Sequence, residues 1–204
     1  LLYVDGGISH VSVIPVGGNN VTADIAAGLR TPMGEAERLK RNVGCALGRM
    51  VAEDEDIEVP GVGGHASRTV PRRVLCDIIE PRVEEIFAVI RNRIEDTGLL
   101  EQLSAGAVLT GGAVLMEGMV EFAEEILGMP VRLGVPMGVR GITQLVAGPQ
   151  YATGVGLVQY GAAALEGARS RDYVDLGVDD IEPPAESERQ RKGSRLLSWL
   201  RAAF

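Results

Sequence analysis

Gly106-Ala-Val-Leu-Thr-Gly-Gly-Ala-Val-Leu-Met-Glu-Gly-Met119 decides how the rest of the chain is read. Ala107 to Leu109 predicts a short buried strand, and Gly111-Gly112 a turn that only glycine makes without steric cost. Glu117 to Leu127 predicts an amphipathic helix. A strand, a diglycine and a helix in that order have two meanings. One is a tight connection and nothing more. The other is a ligand site, because bare backbone lets amides approach a phosphate and a helix N-terminus adds partial positive charge. The stretch alone does not separate the two, so its neighbours must.

Upstream, Leu1 to Val4, Asp5-Gly6-Gly7 and Ile8 to Ile14 predict a β-hairpin, since Asp-Gly between runs of strand formers is a strong turn signal. A phosphate-binding acidic loop is the rival reading. It is set aside because strands flank it on both sides and no hydroxyl follows at once. His10 lies within the second strand and reads as a strand residue rather than a catalyst. A chain that opens in a strand without a start methionine reads as a fragment lacking its N-terminal part. Pro15 to Asn20 forms a second glycine turn into a helix from Val21 to Leu29, with Asn20 as N-cap. Pro32 suits the first turn of the next helix, which Gly34 to Arg41 continue. There Glu37 shares a face with Lys40 three residues on and with Arg41 four residues on. Such spacing usually marks a solvated, salt-bridged face. It also offers a grip on a polar ligand such as a nucleoside.

Between Val43 and Val70 the pattern changes to two short strands, Ile57 to Val59 and Arg68 to Val70, joined by a Gly61–Ser67 loop. Pro71 opens a helix to about Glu80, Pro81 marks a break or kink, and Arg82 to Glu95 continue with Val83, Ile86, Phe87, Ile90 and Ile94 on one stripe. This block reads as a small α/β insertion. Its arginines Arg68, Arg72, Arg73 and Arg82 are dense for an acidic chain, which means solvated surface or a receptor for an acidic peptide. Downstream of the diglycine come Val131-Arg-Leu133, an irregular polar stretch, and a helix from Tyr151 to Leu165 whose small residues suit close packing. Past Gly167 the chain turns charged and loses apolar periodicity, as a linker does. About 25 such residues reach roughly 25–30 Å. At the end, Leu196, Leu197, Trp199, Leu200 and Phe204 fall on one arc of a helical projection, with Ser194, Ser198, Arg195 and Arg201 opposite. A helix of about 16 Å cannot cross a bilayer, but it can lie in the interface with its apolar arc inserted. The alternative is a helix docked on the protein's own core, which a long linker makes less economical.

The 204 residues suffice for one large domain or two small ones. A formal charge of −8 excludes a general nucleic-acid surface. Cys45 and Cys76 stand in no metal or redox spacing and read as small buried residues of a reducing compartment.

The order of these parts resembles the C-terminal half of the bacterial cell-division FtsA family, whose members are actin-like. The resemblance rests on Ile14-Pro-Val-Gly-Gly18 with Thr22-Ala-Asp-Ile-Ala26, on Ala36-Glu37 with Lys40 and Gly44-Cys-Ala46, and on Ile79-Glu-Pro-Arg82. It continues in Val108-Leu-Thr-Gly-Gly-Ala113 with Glu117-Gly118, and in Tyr151-Ala-Thr-Gly-Val-Gly-Leu157. The diglycine alone is shared across actin-like ATPases; the ordered set with the amphipathic tail is specific. Pilus-assembly adaptors and sugar-kinase or chaperone-type ATPases of the same fold are the alternatives, and neither needs such a tail. The resemblance implies an actin-like, ribonuclease-H-like α/β fold. Residues 1–42 and 98–166 would form an incomplete core subdomain and 43–97 the insertion, followed by a flexible linker at 167–193 and a membrane helix at 194–204. It implies a scaffold rather than an enzyme, which polymerises with itself and tethers FtsZ filaments to inner-membrane lipid at the septum, where other division proteins gather. Glu37, Lys40, Gly111 and Gly112 match nucleotide-binding positions, and Arg73 and Arg82 are the candidates for the FtsZ C-terminal peptide. Leu196, Leu197, Trp199, Leu200 and Phe204 would enter the membrane. ATP and Mg²⁺ are expected only in the intact protein, because the phosphate loops and the acidic residue that organises Mg²⁺ belong to the half expected before Leu1. No catalytic residue or metal ligand is expected in this chain.

Overall fold

A computed structural model describes residues 1–138 and 143–171. The amphipathic tail, with Leu196, Leu197, Trp199, Leu200 and Phe204, and the linker beyond Arg171 lie outside the described residues.

β1 (Leu2–Val4) and β2 (Gly7–His10) pair antiparallel across Asp5-Gly6, both at positive φ as a two-residue hairpin turn requires. The second strand stops at His10, short of the expected Ile14. β1 is three residues long and offers no further partner, and Val11 and Val13 stay exposed. α1 (Gly18–Gly28) begins three residues before the expected Val21. Asn20 is not the N-cap: it sits in the first turn, where its side-chain carbonyl accepts from the N–H of Gly17 at 3.0 Å. α2 (Met33–Val43) follows with Pro32 as its cap residue.

β3 (Asp56–Val59) and β4 (Arg68–Pro71) form the expected hairpin, with Ile57 opposite Val70. α3 then runs unbroken from Arg72 to Glu95, through Pro81. The expected break is absent because packing spans it. Ile79 and Val83 on either side of the proline are both buried, so the core holds the two halves in line despite the lost hydrogen bond.

β5 (Ala107–Leu109) pairs parallel with β6 (Val131–Leu133), joined by a short 3₁₀ turn at Ala113–Leu115 and α4 (Met119–Leu127). Two expectations change here. The strand is not fully buried, since Val108 is half exposed and β6 is its one partner strand among the described residues. The helix starts at Met119 rather than at Glu117, because Gly118, in a left-handed conformation, caps it.

α5 (Ala152–Arg171) follows a 3₁₀ turn at Pro149–Tyr151. It extends past Leu165, so residues 167–171 are helical rather than linker; Ala168, Arg169 and Arg171 are adequate helix formers without apolar periodicity. Its small residues are not closely packed: Gly154 and Gly156 are exposed, and nothing lies within 4 Å of a Cβ placed on either. Leu1–Tyr160 forms one compact unit, and a second begins at Gly161.

The main core of the first unit is one cluster drawn from α1 to α4 with β3 and β6. Val21, Ile25 and Leu29 of α1 and Leu39 of α2 meet Val59 of β3, then Leu75, Ile79, Val83 and Phe87 of α3, then Phe122 and Leu127 of α4. Residues 43–97 therefore share their hydrophobic interior with the segments on either side. Cys45 and Cys76 lie beside it with Val51, fully buried, and burial pushes both thiols up, that of Cys76 to about 11.

Candidate functional site

α1, α2 and the diglycine turn converge on a cleft of ≈ 870 Å³, within the size range of small-molecule sites. Gly17 to Val21 form one wall and Glu37, Lys40 and Arg41 the second. Gly112, Ala113, Leu115 and Met116 form the third, with Val83 and Ile86 of α3 behind. Gly18 is where the walls meet: a Cβ placed there would lie 3.3 Å from Cβ of Ala113 and 3.4 Å from Nζ of Lys40.

The Glu37–Lys40 pair forms as the spacing implied, at 2.6 Å, yet it is not a solvated face. Lys40 is buried, and its ammonium donates to Oε2 of Glu37, to Oγ1 of Thr22 at 2.8 Å and to the carbonyl of Gly18 at 3.0 Å. Three donors meet three acceptors, which is what burial of an ammonium demands. Burial pushes the Glu37 carboxyl up. The hydrogen bonds from Lys40 and Thr22 and the charges of Lys40 and Arg41 outweigh it, so the carboxyl sits below its ordinary value.

The two glycines of the turn have different tasks. Gly111 holds φ at +102°, where a side chain is strained, and its N–H donates to the carbonyl of Pro149 at 3.1 Å. It shapes the turn from behind, is not among the cleft-lining residues, and its amide is already engaged. Gly112 faces the cleft at an ordinary φ of −72°. A Cβ there would meet only Cβ of Gln150, at 3.7 Å, so neither backbone nor packing requires glycine at this position.

Arg73 and Arg82 are not brought together. Nine residues along one helix place them about 180° apart. Arg82 faces α1, where it forks onto Asp24 at 2.5 and 3.2 Å and also bonds Glu85. Arg73, half exposed, donates to the carbonyl of Gly48 and to Asp77. Arg72 and Arg68 are likewise clamps. Arg72 reaches the carbonyl of Val43, Glu55 and Glu117, and Arg68 the carbonyl of Leu29. The arginine density thus reflects links between elements. Gly18, which lines the cleft, and Thr22, buried beneath it against Glu37 and Lys40, are residues that the sequence reading missed. With α1 started at Val21, Gly18 fell outside the helix and the spacing of four that places it beneath Thr22 was invisible.

A family model described as "Cell division protein FtsA" matches residues 1–156. The chain belongs to the FtsA family of cell-division proteins. It is 39% identical to "Cell division protein FtsA" of Pseudomonas aeruginosa over 203 residues, covering all of this chain and 48% of that protein. Against that of Escherichia coli K12 the identity is 36% over 210 residues, with the same two coverages. With Bacillus subtilis FtsA it is 39% over 161 residues, 78% of this chain and 35% of the relative. The chain spans about half the length of the curated relatives it matches. MreB 5 of Spiroplasma citri bound to AMPPNP superposes with a TM-score of 0.61 at 15% identity, covering 81% of this chain and 49% of that one. The ADP-bound form gives 0.58. The fold is actin-like α/β, and FtsA membership sets aside the pilus-adaptor and sugar-kinase alternatives.

Proposed function

We propose that this chain supplies part of the nucleotide site of an ATP-binding division scaffold that polymerises and tethers FtsZ filaments to the inner membrane at the septum. The observation that carries the reading is the convergence of Gly18, of Glu37 with Lys40, and of Gly112 on one cleft from three separate segments. On this reading the cleft takes the nucleoside side of ATP. Glu37 accepts from the ligand, Lys40 fixes Glu37, Gly112 leaves room, and Gly111 shapes the turn behind. Mg²⁺ is assigned to no residue here, as no group of three or more candidate ligands gathers among the described residues. When bound, ATP would supply a switch between polymer states, and the chain acts as a scaffold rather than as an enzyme. Residues 1–42 with 98–166 form the actin-like part and 43–97 its insertion. The linker and the 194–204 helix reach the membrane, where other division proteins join.

The FtsZ C-terminal peptide is assigned to the insertion. Of the two arginines, Arg73 is the better contact, since half its surface is open and a guanidinium fork suits a carboxylate. Arg82 is committed to Asp24 and Glu85, so its reversal would set three carboxylates against one another and disturb α1 as well. The test uses the protein at the full length of its relatives, with FtsZ filaments and anionic lipid vesicles. FtsZ should sediment with vesicles when this protein and ATP are present, and Arg73→Glu should weaken peptide binding in a folded protein. FtsZ left in the supernatant by the wild-type protein would overturn the reading.

A further inference from the structure

Thr22 does not line the cleft itself but touches two residues that do, Glu37 and Lys40. Thr22 is buried on α1, with its hydroxyl between the two charged groups of α2. It accepts from Nζ of Lys40 at 2.8 Å and lies 2.5 Å from Oε2 of Glu37. Its one proton has two acceptors in reach, that carboxylate and the carbonyl of Gly18 at 3.1 Å, and the shorter, charged bond takes it.

The consequence for Lys40 follows from counting donors. All three of its N–H groups are engaged by Gly18, Thr22 and Glu37, so none is left for a ligand. Glu37 is different. Both of its bonds fall on Oε2, its side chain is 41% exposed, and Oε1 has no hydrogen-bond partner among the described residues. The group that Thr22, Glu37 and Lys40 together present to the cleft is therefore one oriented carboxylate oxygen, an acceptor. It suits a hydroxyl donor such as a sugar hydroxyl and repels phosphate.

We propose that Thr22 is a positioning residue of the cleft: by holding Oε2 of Glu37 from the neighbouring helix, it aims Oε1 at a sugar hydroxyl of the bound nucleoside. The reason is geometric. Lys40 lies three residues from Glu37 on the same helix and holds the carboxylate from one side only, whereas Thr22 ties it across to α1. A carboxylate held at one point rotates about its terminal torsion, which is a broad well, and the second bond removes that freedom.

This rests on the nucleotide reading above, and the experiment separates the two. The full-length protein is titrated with ATP and with 2′,3′-dideoxy-ATP, which lacks the sugar hydroxyls. The wild type should prefer ATP by about tenfold or more, as expected for a hydrogen bond to a charged group. Thr22→Val should bind both nucleotides at the level of the dideoxy form, and Thr22→Ser should restore the preference. A merely structural role would lower thermal stability without touching the ratio. A folded Thr22→Val protein with the wild-type ratio overturns the proposal. If the valine variant does not fold, Thr22→Ala is read against Thr22→Ser in the same way, and a retained ratio in the alanine variant overturns it. A wild type that binds both nucleotides equally overturns the aimed oxygen while leaving the nucleotide site intact. A wild type that binds neither overturns the nucleotide reading itself.

Discussion

Glu37 is held ionised by its partners, and the sign of the resulting pH dependence is fixed. Its folded carboxyl lies below the ordinary 4.5, so its contribution to stability is fully present above that value and is lost as pH falls through the folded one. Wild type should therefore exceed Glu37→Gln in thermal stability near neutral pH, with the gap closing as pH falls below 4.5 and through the lower folded value. A gap that stays constant from pH 7 to 3 would contradict the assignment. The diglycine gives a second contrast. Alanine at Gly111 must adopt φ +102° and should cost about 1–2 kcal/mol in urea denaturation, as left-handed backbone does. Alanine at Gly112 meets only Cβ of Gln150, at 3.7 Å, and should change stability little. Equal effects at the two positions would refute the division of tasks. Glu37 and Lys40 were legible in the sequence because a spacing of three is a property of one helix. Thr22 was not, because its role depends on how two helices cross.

Helices and strands joined by local chemistry were the readable elements. Asp5-Gly6 announced a hairpin, and the strands around Gly61–Ser67 were found within a residue of their true ends. Where reading failed, tertiary forces had overridden a local signal. Pro81 signals a break, but α3 continues because α1 and α4 pack on both of its halves. Pro81→Ala should accordingly stabilise the protein by ~1 kcal/mol or more, since the helix regains a donor where packing already holds its shape. Lower stability by differential scanning calorimetry would show that α3 needs the proline. The links that the arginines make between elements were not legible for the same reason. Arg72, mostly buried, ties α3 to the end of α2, to the approach of β3 and to Glu117 beside the diglycine unit. Its carboxylate partners are half exposed, which discounts each pair, so Arg72→Met should cost about 1–2 kcal/mol rather than the full value of a buried ion pair. Urea unfolding that matches wild type would show the clamp to be idle.

For the whole molecule, the family was legible and the contacts between elements were not. Motifs ordered along the chain survive without knowledge of packing, whereas the shared core of 43–97 with its flanks appears only when α3 is seen against α1 and α4. The proposed tether depends on the tail, where a helical projection of the sequence puts Trp199 on the apolar arc and Ser198 on the polar one. Each large side chain gains at most ~1.5–3 kcal/mol on full burial, and ordering a residue costs roughly 1–2, so a single tail binds weakly and a polymer of tails strongly. Trp199→Glu should release the full-length protein from vesicles and Ser198→Glu should not; co-sedimentation of Trp199→Glu at the wild-type level would remove the tail as anchor. The claim from which the rest follows is that the cleft between Gly18, Glu37 and Gly112 receives a nucleotide. The direct measurement is a calorimetric ATP titration of the full-length protein alongside Gly112→Val. The backbone at Gly112 accepts a side chain without strain, so the variant should fold, while its added bulk enters the cleft. The expected result is a wild type that binds ATP and a folded Gly112→Val protein weaker by about tenfold or more, a loss of ~1.4 kcal/mol or greater. Equal ATP affinity in the two folded proteins would contradict the account.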